Sequence, residues 1–414
     1  MNVEAFLGDF SLSPSPSLWE EEAHVTRRDS VVFSGKSYPR FFNEFWTARQ
    51  RGGHSLHEIS YRACFKPELP RFFISLLTQP GERVFDPFMG RGTTVVEAAL
   101  LGRHVGGNDI NPLSAILTAP RLDPPMPDEI AARLSAIDLH RPVAEPDIDL
   151  GMFYSPHTLR QILNLRAWLR RRWQNGEEDH VDRWLRMVAT NRLTGHSSGF
   201  FSVYTLPPNQ AVSPQRQMRI NQLRKQTPPD RDVAAIILKK SRSLMRRLTW
   251  QDRAHLTNAA GDAVLSTADA ADMQDIQDAS IDLIVTSPPF LNTVQYAADN
   301  WLRCWFNHLD AEAIGRKITV TASLPRWSAC MSAVFDELFR IVKPGGWVAF
   351  EVGEVRNGTI NLDEVIAPLG EAAGFVCKAI MINEQQFTKT ANCWGVQNNR
   401  KGTNTNRIVL FQKP

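Results

Sequence analysis

The chain has 414 residues, 43% of them hydrophobic and 22% charged, with a formal net charge of +3. That is the make-up of a globular protein with ample chain for a sizeable core, and no apolar run nears the ~20 residues that cross a bilayer. The N-terminus lacks a basic segment leading into an apolar one, which excludes a secretory signal. The five cysteines (Cys64, Cys304, Cys330, Cys377, Cys393) form no Cys-x-x-Cys pair, so neither a disulfide framework nor a zinc site is expected. The expectation is a cytoplasmic protein with no membrane and no metal partner.

In chain order, residues 1–50 read as a polar, Pro/Ser-spotted extension that packs loosely or covers a site. From about residue 68 a regular rhythm begins. "ELPRFFISLL" predicts a helix, "GERVFDPF" a short buried strand, "TTVVEAALLG" a helix, and "RHVGGNDIN" a second strand followed by a helix from Pro112. Strand–helix alternation of this kind argues a parallel sheet with helices on both faces.

The rhythm stops over residues 121–254. Helical stretches ("HTLRQILNLRAWLRRRW", "VDRWLRMVATNRL", "RDVAAIILKKSRSLMRRL") flank an irregular "GHSSGFFSVYTLPPNQAVSPQRQ". It resumes with "RAHLTNAAGDA" read as a strand and turn, "SIDLIVTSPPF" as a strand, and "MSAVFDELFRIVKPGG" as a helix. "WVAFEVG" then reads as a strand, "LDEVIAPLGEAAGF" as a helix, and "VCKAIMINE" and "TNRIVLFQK" as a closing antiparallel pair. The predicted fold is α/β: a doubly wound seven-stranded sheet, Rossmann-like, with a mostly helical inserted domain. Its halves are residues 51–120 and 255–414.

Charge is distributed unevenly. Residues 151–256 hold 19 Lys and Arg against 7 Asp and Glu. A basic segment within an otherwise acidic chain is the footprint of a polyanion, or else a solvated helical face.

"FDPFMGRGTT" (Phe85–Thr94) follows a strand and opens a helix, where doubly wound sheets bind ligands. Gly90 and Gly92 let backbone approach a ligand, and the helix start offers free N–H donors. Asp86 ends the first strand and Asp109 the second. An acid about 20 residues beyond a glycine loop is where a ribose diol is held. Asp262 is expected to end the next core strand, so that three acids outline a nucleoside-shaped pocket.

"FDPFMGRGTT" together with "TSPPF" (Thr286–Phe290) resembles the amino-group DNA methyltransferases, which use S-adenosylmethionine (SAM) to methylate N4 of cytosine or N6 of adenine. The resemblance covers about residues 55–120 and 255–414, with "FKPELPRFF" (Phe65–Phe73) similar to the element preceding the family's glycine loop. It implies a cofactor site of Phe65, Lys66, Pro67, Asp86, Pro87, Phe88, Gly90, Gly92, Thr93, Thr94, Asp109, Ile110, Asp262 and Ala263. Arg91 stands where the family more often has Ser.

Ser287, Pro288, Pro289 and Phe290 are then the catalytic turn. An exocyclic aromatic amine is a poor nucleophile until its hydrogens are accepted. The Ser287 hydroxyl and Pro288 carbonyl can accept them, and neither proline offers a competing N–H. Phe290 supplies a stacking face. The target base must be flipped out of the duplex. Cytosine C5 chemistry is excluded, because it needs a thiolate, usually after proline, and none of the five cysteines follows one.

In the family, Ser-Pro-Pro accompanies cytosine N4 more often than adenine N6, which makes cytosine N4 the expected target. The insertion is then the target-recognition domain, with Arg170, Arg171, Arg172, Arg216, Arg219, Arg224, Lys225, Lys239 and Lys240 as DNA contacts. The partners implied are double-stranded DNA and a cognate restriction endonuclease. The alternatives left open are an adenine N6 or RNA amino-methyltransferase, and an inactive nucleic-acid-binding protein on the same fold. Tyr296 and Asn300 are candidate contacts to base or cofactor, and Trp301, Trp305 and Phe306 are expected in the core.

Overall fold

The structure is a computed structural model, and it describes residues 2–11, 25–33, 35–46, 53–61, 64–144, 146–207, 211–291, 296–318, 321–355, 359–384 and 405–414. Cys393 and the side chain of Tyr296 lie outside the described residues.

A short helix α1 (Val3–Gly8) precedes a hairpin of β1 (Arg27–Phe33) and β2 (Lys36–Asn43). Then follow α2 (Glu68–Leu77), β3 (Arg83–Asp86), α3 (Thr93–Leu100), β4 (His104–Asn108) and α4 (Leu113–Thr118). Six helices come next: α5 (Pro127–Ala136), α6 (Pro156–Gln174), α7 (His180–Arg192), α8 (Pro214–Arg224), α9 (Val233–Met245) and α10 (Trp250–Gly261). The chain returns to the sheet with β5 (Val264–Ser266) and β6 (Ile281–Thr286), then α11 (Tyr296–Phe306), α12 (Ala311–Lys317), α13 (Leu324–Ile341) and β7 (Val342–Val352). It closes with a two-stranded ribbon, β8 (Glu354–Val355) and β9 (Ile360–Asn361), then α14 (Asp363–Ala372), β10 (Val376–Glu384) and β11 (Thr405–Gln412).

Among the described residues, nine strands form one sheet in the order β1-β2-β10-β11-β7-β6-β3-β4-β5. The run β7-β6-β3-β4-β5 is parallel, and β11 enters antiparallel between β7 and β10. The chain builds outward from β3 to β4 and β5, then crosses back to lay β6 on the other side of β3. The carboxyl ends of β3 and β6 therefore flank a topological switch point, where open α/β sheets take their ligands. Alternate residues face opposite cores. Val84, Leu283 and Val285 point to a cluster with α2, α3 and the inserted helices, whereas Phe85, Ile284 and Phe350 point to one with α13 and α14. Burial on both faces explains why these strands read as near-continuous apolar runs.

Three expectations are corrected. Residues 1–50 include a hairpin that extends the sheet, with β2 running parallel to β10 (Ile380 opposite Arg40) and Lys36 Nζ 2.7 Å from Glu371. "RAHLTNAAG" belongs to α10 and not to a strand. Thr249 and Asp252 form its capping box, Thr249 Oγ1 accepting from Asp252 N at 3.1 Å and Thr249 N donating to Asp252 Oδ2 at 2.8 Å. That Thr-x-x-Asp signature is a helix start, and β5 begins only at Val264. The irregular stretch before Gln217 is also partly helical, because Pro214 opens α8 behind Ser213, whose Oγ accepts from Arg216 N.

Among the described residues no helix is long and apolar enough to cross a membrane, and no group of three or more His, Cys, Asp or Glu could hold a metal ion.

Candidate active site

The glycine loop and the Ser-Pro-Pro-Phe turn meet at the carboxyl ends of β3 and β6. Thr286 Oγ1 donates to Asp86 Oδ1 at 2.6 Å, across the two strand ends. Thr94 Oγ1, in the first turn of α3, donates to Val285 O at 3.0 Å. Two polar residues thus fasten the helix start, the β3 end and the β6 end into one unit.

Asp86 is buried, and burial pushes its carboxyl up to about 7 against the hydrogen bonds from Thr286, Phe88 N and Thr94. A buried carboxyl resists ionisation because the charged form loses its hydration. Asp86 therefore braces the site and does not line an open nucleoside pocket, a correction to the sequence reading. Thr94 is buried as well, and Thr93 Oγ1 receives Arg91 Nε at 3.2 Å.

Within the loop, Gly90 is half-buried and Gly92 is buried against the Thr118 side chain. Gly90 and Gly92 have φ of 50° and 71°, a region that L side chains enter only at a cost, and α3 has no side-chain cap at its N-terminus. Pro87 is buried and Phe88 half-buried beneath the loop. Asp109 receives Gly90 N and Asn111 N at 2.9 Å each, and burial raises its pKa against those bonds. Ile110 beside it is half-buried. Tyr61 lies over Gly90, the ring 3.6 Å from where a Cβ would stand. Phe65, Lys66 and Pro67 are half-buried at the start of α2.

Asp262 and Ala263 do not join this group. Asp262 pairs with Arg83 and with His104 Nδ1 at 2.9 Å, and those residues begin β3 and β4, at the amino edge of the sheet. The misplacement follows from reading α10 as a strand. At the carboxyl end of β5 the sheet instead offers Ser266 to Ala268, held by Asn108, whose Oδ1 receives Ser266 Oγ and Ala268 N at 2.9 Å each.

In the Ser-Pro-Pro-Phe turn, Pro288 is buried, Pro289 exposed and Phe290 half-buried against the α13 side of the core. Trp327 Nε1 donates to Pro289 O at 2.9 Å and fixes the turn from α13. Ser287 lies beside the buried carboxylate of Glu351, which receives Asn406 Nδ2. Glu351 follows Phe350, the partner of Thr286 in the β6–β7 register, so the ladder itself brings Glu351 beside Ser287. Burial raises the Glu351 pKa. Glu351 and Trp327 escape the sequence reading. The signal for Glu351 was present, an acid inside the apolar run "WVAFEVG", whereas nothing local marks Trp327.

Asn300 is buried and accepts from Arg303 Nη1 at 3.0 Å. Phe306 is buried, and Trp301 and Trp305 pack half-buried against the main cluster. Of the basic residues, Arg170, Arg171, Arg216, Arg219, Arg224, Lys225 and Lys239 are exposed. Arg172 is not a free contact, because it donates to Asp182 Oδ2 and Glu177 O at 2.6 Å each. Lys240 donates to Glu58 O at 2.5 Å, and burial lowers its ammonium to about 8.

Residues 17–115, which hold the glycine loop and both its flanking strands, match the family model described as DNA methylase. The match covers about a quarter of the chain. The chain is also similar to the type II methyltransferase M.MvaI of Kocuria varians, 36% identical over 81 residues, or 19% of this chain and 18% of that protein. Similarity to the type II methyltransferase M.MthZI of Methanothermobacter thermautotrophicus is 33% over 96 residues, 22% of this chain and 26% of that one. The chain thus spans about a quarter or less of the length of these relatives. Among solved structures, the rRNA methyltransferase aviRa of Streptomyces viridochromogenes overlaps 86% of this chain and 89% of its own, at 13% identity and a TM-score of 0.34. An overlap that loose carries no argument about function.

Proposed function

We propose that the chain is a SAM-dependent DNA amino-methyltransferase acting on cytosine N4. The observation that carries the reading is the Thr286–Asp86 hydrogen bond of 2.6 Å, which holds a glycine loop and a Ser-Pro-Pro-Phe turn side by side at the switch point.

The residues fit the cofactor by the chemistry of their donors and acceptors. The uncapped start of α3 offers N–H groups to a carboxylate, and Asp109 is the acid expected to hold a hydroxyl pair. Gly90 leaves room under Tyr61 for close approach. SAM supplies the methyl group on an activated sulfonium.

The chain's own residues do the rest. With its hydrogen turned toward the neighbouring Glu351, the serine oxygen would present lone pairs to accept a hydrogen from an incoming amine. Trp327 and the two prolines hold that oxygen rigid, and positioning of this kind supplies most of such an acceleration. When the amine nitrogen gains a methyl group it must lose a proton. Ser287 can pass that proton to Glu351, whose raised pKa suits it to receive one. The Ser-Pro-Pro form, rather than Asp- or Asn-Pro-Pro, favours cytosine N4 over adenine N6 by resemblance to the family. Similarity to type II methyltransferases supports a place in a restriction–modification system with a cognate endonuclease.

The test is mass spectrometry of nucleosides from unmodified DNA incubated with protein and SAM, with Ser287→Ala alongside. N4-methylcytosine is expected, with a loss of about 100-fold or more in the variant, the scale of removing one preorganised hydrogen-bonding group. N6-methyladenine would overturn the base assignment, and no methylated base despite SAM binding would overturn the DNA substrate.

A further inference from the structure

Helix α8 has no folding reason to look as it does. Of its eleven residues only Gln217 is buried. The helix is tethered chiefly by amides, beside one apolar contact in which Ile220 packs against the main cluster. Gln217 Nε2 donates to Tyr204 O at 3.0 Å and to Asn221 Oδ1 at 2.8 Å, and Asn221 Nδ2 donates to Met152 O at 2.8 Å. A helix that is polar nearly all round gains little stability from its own fold, so its outer face is held out for something else.

That face is specific in composition. At 100° per residue, Gln217 and Asn221 mark the inner side, and Gln215, Arg219 and Gln222 run along the outer side at i, i+4 and i+7. Arg216 and the exposed Leu223 flank them. Among the described residues the side chains of Gln215, Arg219 and Gln222 make no hydrogen bond or ion pair. Gln and Arg are the side chains that pair bidentately with the major-groove edges of adenine and guanine. A helix with its side chains is ~10–12 Å across, and the major groove ~12 Å wide. Residues 183–229 contain no Asp or Glu, so nothing in this segment repels a phosphate backbone.

The helix is also anchored near the chemistry. Ala211 N donates to Asp299 O at 3.2 Å and Trp301 Nε1 to Val212 O at 3.2 Å. These bonds pin the foot of α8 to α11, the helix that follows the Ser-Pro-Pro-Phe turn.

Resting on the methyltransferase reading, the geometry points to α8 as the helix that reads the target sequence in the major groove. Gln215, Arg219 and Gln222 contact base edges, and Arg224 and Lys225 at its end contact phosphate.

The test uses the full chain and needs no turnover. A random duplex library is bound, recovered and sequenced for the wild type, for Gln215→Ala, Arg219→Ala and Gln222→Ala, and for a doubly substituted Arg170→Ala, Arg171→Ala protein. Each α8 variant is expected to lose base preference at one position. Affinity for the preferred duplex should fall about 5- to 100-fold, with affinity for random duplex and melting temperature unchanged. The double variant should weaken both duplexes alike. Unchanged preference in all three α8 variants overturns the proposal, as does an equal loss on preferred and random duplexes, which would leave α8 a phosphate binder. A wild type that selects no sequence also overturns it, and would leave the face to a protein partner. Sequence selection without methyl transfer would refute the catalytic reading and leave α8 as the reader.

Discussion

Asp86 and Glu351 are the two buried carboxyls on which the site turns. Burial raises the Asp86 pKa against the hydrogen bonds it receives. The unfolded carboxyl titrates near ~3.9 and the folded one at about 7, so the native state binds the proton more tightly. The resulting stability is complete below about pH 4 and is lost as pH rises through 7, on the order of 4 kcal/mol in all. Asp86→Asn keeps an acceptor for Thr286 and cannot ionise. Melting curves from pH 5 to 8 should show the wild type falling relative to this variant, and parallel pH courses would rule out a neutral Asp86.

Among the elements, α7 shows how charges that look alike in sequence divide by role. Asp182 is fully buried in its first turn and is held by Arg133 and Arg172. Removing one partner of a buried pair leaves an uncompensated charge. Arg172→Ala should therefore lower stability by about 3 kcal/mol in denaturant unfolding, with little direct effect on DNA affinity once the protein is folded. Arg170 and Arg171 are exposed on α6, the latter 4.9 Å from the Trp168 ring. Replacing both should weaken DNA binding and flatten its salt dependence without moving the unfolding midpoint. If Arg172→Ala weakened DNA binding at unchanged stability, the division would fail.

At the scale of the whole molecule, the insertion is not a separable module. Val84, Val105 and Val285 of the sheet share one apolar cluster with Trp184, Leu185 and Val188 of α7 and Val233, Ile237 and Leu244 of α9. Polar ties run the same way, with Ser55 Oγ donating to Leu244 O at 2.7 Å and Asn191 Nδ2 to Ser60 O at 2.9 Å. A shared core unfolds as one unit. Calorimetry should show a single transition, and a second, independent one would contradict the shared core.

The sequence by itself determined the seven core strands, with one misplaced, because burial on both faces forces long apolar runs that local pattern records. It also determined the two turns at the site, because Gly-x-Gly and Ser-Pro-Pro impose their backbone shape locally. It left the rest open for a physical reason. The hairpin at residues 27–43, the pairing of Ser287 with Glu351 and the inward turn of Asp86 depend on contacts between residues far apart in the chain. So does the choice of which arginine faces solvent and which faces Asp182. Only the tertiary structure decided those, because register between strands and the burial of a charge are properties of the packed molecule and not of any segment.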